Sequence, residues 1–403
     1  MSTSLDRTHV VLLGAGYASI WAYRALTRRL PRRVRITVVE PQPMHVFHGW
    51  TGEVLSAELP PDAQFSPVSE ALPKAEHVRG WARGVDRETR TVTVELVDGG
   101  QAHLHYDHLV VGIGAVEELD SVPGLREHAF SLREAGRTAT LSAHLDECIA
   151  EAAAVEASEE RARLLHVVLA GAGLAGIEAS VAVAQRLAKA GANGAKVTLV
   201  GSSTTLALEL SPTLRDRVTE ELARNDVRVV APARVAAVTP DGVKLDDGSW
   251  LPSATTIASV GNRAHPLAGL TDLATDAAGR LRTDEYLRIE PRIWAGGDAA
   301  CVRTSVGGVC PKDAGWAIGQ GSWLGRNIAR TILGRPPKRF TWMSAGVTAG
   351  FGAGHAVLDT WGMPVRGRPA WLSRAAFFAF YLPSRRQLLR VLWLLARRRL
   401  SRS

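Results

Sequence analysis

His9-Val10-Val11-Leu12-Leu13-Gly14-Ala15-Gly16-Tyr17-Ala18-Ser19 stands near the start of the chain, and His166-Val167-Val168-Leu169-Ala170-Gly171-Ala172-Gly173-Leu174-Ala175-Gly176 stands near its middle. Each reads as an apolar strand that runs through G-x-G-x-x-[G/S] into an apolar, Ala-rich helix. The first Gly of such a unit permits a tight turn. The second lets a pyrophosphate approach the backbone, and the third, small position lets helix and strand pack closely. The phosphate then sits on the helix N-terminus. One copy of the pattern is weak; two copies, each between a strand and a helix, repeat the context that gives the motif its meaning. The chain reads as an α/β protein with two Rossmann-like dinucleotide sites, which points to electrons passing between two cofactors.

Bulk properties bound the rest. A length of 403 residues predicts two to three domains, and 46% hydrophobic with 22% charged residues is ordinary for a globular protein. The formal charge of +8 is concentrated: Arg366 to Arg402 holds ten Arg and no Asp or Glu. Such a stretch points to an anionic surface as partner. Three Cys (Cys148, Cys301, Cys310) are too few for a disulfide framework, and their spacing fits neither a zinc site nor a C-x-x-C pair. A reducing, cytoplasmic compartment is expected. The polar start predicts no secretory leader. No run approaches the roughly 20 apolar residues of a spanning helix.

Behind the first glycine turn, Val34 to Val39 reads as the second strand, ending in Glu40, where an acid can hydrogen-bond adenosine ribose hydroxyls. His45 to Glu53 is aromatic and loop-like; it reads equally as a segment against a flavin or as an ordinary packed loop. Its two His, three apart, do not make a metal site without further ligands, and no metal is expected. Thr91 to Val97 and His103 to Tyr106 flank Asp98-Gly99-Gly100 as a hairpin or meander. His108 to Ala115 is a buried strand ending in small residues, and about 131 to 163 reads as one or two amphipathic helices.

In the second unit Glu178 is expected to open the helix, favoured there by the helix dipole or, functionally, beside the nicotinamide and flavin rings. The second strand, Lys196 to Val200, ends in Gly201, and Ser202-Ser203-Thr204-Thr205 follow. The acid that favours NADH over NADPH is absent there, and no Arg sits at the strand end, which leaves the donor open. Thr255 to Gly261 closes the unit much as Val111 to Gly114 closes the first. Ile293-Trp294-Ala295-Gly296-Gly297-Asp298 then reads as a strand ending just before a helix, able to offer its carboxylate to a ribityl hydroxyl.

Together the two fingerprints, Glu40, Val110 to Ala115 and Ala295 to Asp298 resemble the two-dinucleotide-binding flavoprotein superfamily, over nearly the whole chain. The resemblance implies FAD at the first site and NAD(P)H at the second, with the second domain inserted in the first: 1–117 and 287–335 for FAD, 118–286 for the nucleotide, and 336–403 as a C-terminal amphipathic helical tail. No Cys precedes Cys148, so the disulfide-reductase branch does not apply. Ala314-Gly315-Trp316-Ala317-Ile318-Gly319-Gln320-Gly321 resembles the A-Q-x-A-x-x-Q-G helix of type II NADH:quinone oxidoreductases. Gln320 matches the second Gln of that motif; Gly315 replaces the first. Glu178 matches that family's Glu near nicotinamide and quinone. Trp371 to Arg399, short apolar stretches interleaved with Arg, resembles its membrane anchor and describes helices lying in an interface.

The resemblance implies a peripheral flavoenzyme on the inner face of the cell membrane, passing electrons from NAD(P)H to a quinone-like acceptor. It also implies a homodimer; no nucleic-acid partner is expected. Glu178 and Gln320 are the catalytic candidates. Gly14, Ala15, Gly16, Tyr17, Ala18, Ser19, Glu40, Gly114, Ala115, Gly171, Gly173, Gly176, Gly261, Gly297, Asp298 and Ala317 are the cofactor-binding candidates. The alternatives are a sulfide:quinone reductase-like enzyme using Cys301 and Cys310, a repurposed oxidoreductase of a small metabolite, and a redox sensor with little turnover.

Overall fold

The computed structural model describes residues 7–134 and 136–400. The chain forms two compact units. One takes the stretch ending at His45, Ser66–Val116 and Asn262–Ala345; the other takes Val46–Phe65, Glu117–Gly261 and the stretch from Gly346 onward.

The first unit is built on a six-stranded sheet ordered Arg288–Glu290, Ile293–Ala295, His108–Val111, Thr8–Leu13, Val34–Val39, Glu76–Val78. Thr8–Leu13 pairs in parallel with Val34–Val39 on one side and with His108–Val111 on the other. Val10 to Leu13 and Leu109 to Val111 are wholly buried, as expected of parallel strands covered on both faces. The Arg288–Glu290 strand is the exception, antiparallel at the edge. Helix Tyr17–Arg29 follows the first turn, and helix Ala314–Ile332 lies directly on it. The close approach depends on Gly321, where a Cβ would sit 2.2 Å from Ala18 O. The expected hairpin is a three-stranded antiparallel meander, Gly80–Asp86, Thr91–Leu96 and Gln101–His105.

The second unit repeats the plan. Its five-stranded parallel sheet is ordered Ala129–Ser131, Thr255–Ala258, His166–Ala170, Lys196–Val200, Val227–Val230. Helix Leu174–Lys189 follows the second glycine turn and Arg137–Ala154 with Ser158–Leu164 precede the repeat. A meander of Val235–Thr239, Gly242–Leu245 and Trp250–Pro252 completes the nucleotide half.

The C-terminal stretch adds something the sequence reading did not contain. Val347–Gly350, Ala356–Thr360 and Met363–Arg366 form an antiparallel three-stranded sheet before helices Arg368–Tyr381 and Arg385–Leu400. Its Ala349, Phe351 and Val357 join the hydrophobic core of the second unit. Among the described residues no helix is long and apolar enough to cross a membrane.

Candidate functional site

Two glycine turns define two candidate sites, one in each unit. Gly14 and Gly171 sit at φ +85° and +118°, in the left-handed region that favours glycine. A Cβ on Gly14 would also lie 2.6 Å from Gly112 O, and one on Gly171 would lie 2.1 Å from Ser259 O. Gly16 and Gly173 are the N-caps of their helices, and neither has a side chain to accept the first-turn N–H groups. Those donors point where a phosphate would sit.

The first turn gathers most of the expected residues. Glu40 Oε2 accepts from Ala15 N (2.9 Å) and Oε1 from Gln42 N (3.1 Å), which fixes an acid against the middle residue of the turn. Tyr17 stacks edge-on against His45, whose Nδ1 bonds Ala15 O at 2.9 Å. Burial pushes His45 down to about 4, so it is neutral and braces the turn. Ala18, Ser19 and Ala317 lie on the two packed helices. A Cβ on Gly297 would meet those of Ala18 (3.5 Å) and Ala317 (3.8 Å). Gly297 N donates to Gln320 Oε1 at 2.7 Å, and Gln320 is 2% exposed. Gln320 is thus the residue that holds the Gly-Asp turn. The expected helix is a short 3-10 helix, Gly297–Ala299, and Asp298 lies within it rather than just before it. Gly114 and Ala115 follow the His108–Val111 strand, with Gly114 at φ +74°. A glycine-capped helix end with an acid beside it is the donor and acceptor set that a dinucleotide's pyrophosphate and ribose need, so these residues fit FAD.

Around the second turn, Gly176 and Gly261 make close approaches: a Cβ on Gly176 would be 2.1 Å from Gly171 O, and one on Gly261 would be 2.9 Å from Glu118 Oε2. Glu178 does not open the helix. The helix starts at Leu174 and its first turn carries no acid, so Glu178 sits in the second turn and the dipole does not explain it. Its Oε1 accepts from Gly350 N (2.6 Å) and from Arg374 Nη2 (3.4 Å). Arg374, 5% exposed, also donates to Glu53 Oε1 at 2.5 Å and to Gly49 O at 3.0 Å, and lies over the Phe378 ring. One buried guanidinium therefore serves two carboxylates. Burial pushes the Glu178 carboxyl up; Arg374 and the Gly350 N–H pull it back. The His45–Glu53 segment is in part a packed loop: Phe47 and Trp50 contact Phe378 edge-on at 5.6 and 5.3 Å. Glu53 and Arg374 were the residues sequence reading missed. A Glu in a segment that reads as loop-like and an Arg amid nine others carry no signal of burial.

The helix that begins at Ala314 differs from the resembled motif for a visible reason. A Cβ on Gly315 would lie 2.7 Å from Ser344 Oγ and 3.2 Å from Asp313 Oδ1, so a side chain there would have to displace Ser344. Asp313 caps the helix, accepting from Trp316 N at 2.9 Å. Burial, with Asp298 nearby, raises its carboxyl to about 6, against the pull of two backbone N–H groups. Cys301 and Cys310 are buried free thiols, and burial pushes Cys310 up to about 11. Among the described residues no group of three or more His, Cys, Asp or Glu is placed to hold a metal ion.

Comparison with known proteins bears on this geometry. The family described as pyridine nucleotide-disulphide oxidoreductase matches residues 8–321. A "NADH dehydrogenase-like protein" of Mycobacterium tuberculosis is 28% identical over 381 residues, covering 90% of this chain and 91% of that one. A "type II NADH:quinone oxidoreductase" of Staphylococcus aureus is 25% identical, covering 91% and 92%. The solved structure of NDH2 from Plasmodium falciparum in complex with NADH superposes with a TM-score of 0.88 at 14% identity, covering 97% and 98%. The chain belongs to the pyridine nucleotide-disulphide oxidoreductase family. Membership makes it an oxidoreductase with FAD as cofactor and a pyridine nucleotide as substrate.

Proposed function

We propose that this family member takes a hydride from NADH or NADPH at the second glycine turn and passes two electrons to a quinone-like acceptor at a membrane surface. FAD, when bound, supplies the two-electron chemistry that links donor and acceptor. In this reading Gly14 to Ser19 hold its pyrophosphate end, Glu40 its ribose, and Gly114, Ala115, Gly297, Asp298 and Ala317 its remaining length. Gly171, Gly173, Gly176 and Gly261 receive the nucleotide. Gln320 positions the Gly297 backbone.

The observation that carries the reading is the Glu178 cluster. Reducing a quinone consumes two protons as well as two electrons. A carboxyl raised by burial but drawn back by Arg374 and Gly350 can both hold a proton and release one. The name of the Staphylococcus relative agrees with this chemistry, and that of the Mycobacterium relative with a nicotinamide donor. The membrane surface is argued from the C-terminal helices, where Leu372, Phe380, Leu389, Leu392 and Trp393 are exposed among Arg residues. A sulfide-oxidising role that needs Cys310 as nucleophile is disfavoured, because its thiol, pushed up to about 11, is not ionised at neutral pH.

The test is anaerobic rapid mixing. NADH or NADPH should bleach the flavin absorbance and a soluble quinone should restore it. Glu178→Gln should slow the restoration severalfold, with bleaching rate and flavin content unchanged. Restoration at the wild-type rate would remove Glu178 from the proton path.

A further inference from the structure

The two glycine units correspond in their backbone bonding, and they differ at the end of the second strand. Gly14 N donates to Val39 O (2.8 Å) and Gly171 N to Val200 O (3.0 Å); Glu40 N donates to Val78 O (3.1 Å) and Gly201 N to Val230 O (3.0 Å). Gly201 is therefore the counterpart of Glu40, and Ala172 that of Ala15. In the first unit the Ala15 N–H meets the Glu40 carboxylate. In the second, position 201 has no carboxylate and no room for one: a Cβ there would lie 2.6 Å from the Ala172 Cβ.

The residues that follow Gly201 are hydroxyls rather than acids. Ser202, Ser203, Thr204 and Thr205 follow it and all four are exposed. Ser203 Oγ accepts from Thr205 N at 3.1 Å, which folds the hydroxyls into a turn. Gly201 O accepts from Ala233 N at 2.9 Å. That bond brings the next residue, Arg234, to the same edge as the hydroxyl turn, although 33 positions separate it from Gly201 in the sequence. Arg234 is exposed, and its backbone is fixed by Asp246 Oδ1, which accepts from Arg234 N at 3.0 Å. Asp246 is the acid nearest in the bonding pattern, and it is engaged with that backbone.

We infer that the Gly201–Thr205 turn together with Arg234 is a subsite for the 2′-phosphate of an adenosine nucleotide, so that NADPH is accepted at least as well as NADH. This rests on the second glycine turn being the nucleotide site. An acid at a strand end selects a free 2′-hydroxyl, whereas a small residue with an Arg and hydroxyls nearby admits a phosphate. Arg and hydroxyl donors to a phosphate form strong, charge-assisted bonds.

The experiment separates this inference from the reading beneath it. Binding of 2′,5′-ADP and 5′-AMP to the full-length, FAD-loaded protein is measured by calorimetry, and flavin bleaching by NADPH and NADH is followed in parallel. The 2′-phosphorylated ligand should bind about ten-fold more tightly. Arg234→Ala should bring the two to within about two-fold of each other, with flavin content and melting temperature unchanged. The double variant Ala172→Gly, Gly201→Asp, which makes room for an acid, should reverse the preference. Equal or weaker binding of 2′,5′-ADP, with NADH bleaching the flavin, overturns the inference and leaves the proposed function standing. Preferred binding of 2′,5′-ADP with no bleaching by either nucleotide keeps the subsite and overturns the function.

Discussion

Replacing Gly112 by Ser tests the internal repeat where it is tightest. Gly112 N donates to Leu13 O (3.0 Å) as Ser259 N donates to Ala170 O (2.9 Å), so positions 112 and 259 are equivalent. Each faces the third position of its fingerprint, Ser19 in one unit and Gly176 in the other. A Cβ on Gly112 would lie 2.6 Å from Ser19 Oγ, and one on Gly176 would lie 3.1 Å from Ser259 Oγ. Each unit thus fills one small space with one Ser, carried by the helix in the first and by the strand in the second. Gly112→Ser puts two side chains into that space beside a fully buried Ser19. Overpacking of this kind costs about 2 kcal/mol, which lowers the melting temperature by about 6 °C for a unit of this size. Adding Ser19→Gly recreates the second unit's arrangement in the first. The clash goes, and about 0.5 kcal/mol remains for a Gly inside a helix. The double variant should therefore be about 1.5 kcal/mol more stable than Gly112→Ser alone, a non-additivity expected only of residues in contact. Thermal unfolding with FAD bound, and flavin absorbance per protein, report both quantities. A single variant as stable as wild type, or a double variant no better than the single, would refute the equivalence.

Arg374→Met leaves the half-buried Glu53 and Glu178 without their cation and should cost about 3 kcal/mol, seen as a lower melting temperature, with Arg374→Lys intermediate. Asp313→Asn keeps the helix cap but removes a carboxyl held at about 6. Because that folded value lies above the ordinary 3.8, the unfolded chain releases the proton first. Wild type should then lose stability relative to the Asn variant as pH rises from about 4 to 6, and stability curves that stay parallel over that window would contradict the raised value. Leu389→Ser with Trp393→Ser should abolish most co-sedimentation with anionic vesicles while leaving flavin content unchanged; full retention of binding would remove these helices from the proposed interface.

How much of this the sequence carried follows from the range of each interaction. The two sheets and their turns were legible because a strand, a glycine turn and an apolar helix are contiguous, and the unit occurs twice. Glu40 was legible for the same reason, since it sits at a fixed place behind a recognisable strand. The Glu178 cluster was not. Arg374 is 196 positions from Glu178 and 321 from Glu53, and only tertiary packing brings them together. Gly315 read as a lost side chain; it is a site already filled by Ser344 Oγ and the Asp313 carboxyl.

The C-terminal helix Arg368–Tyr381 makes the same point in reverse. A helix on a globular body normally buries its apolar side chains and exposes its charges. Here the buried positions are Ala370 and Arg374, one turn apart, while Leu372 is 57% and Phe380 77% exposed. Composition alone reads Arg374 as one more outward cation in a basic tail. Its burial is stabilised by Glu53 and Glu178, which leaves the opposite, apolar side of the helix facing outward. Helix Arg385–Leu400 exposes Leu389, Leu392 and Trp393 as well. Side chains that cannot all turn inward, because an ion cluster holds the inward face, need an apolar surface outside the protein. A membrane interface supplies one, and in the proposed function it is also where the acceptor resides. The buried Arg374 would then serve two ends at once, holding the carboxylate that handles protons and setting which face of the helix meets the lipid.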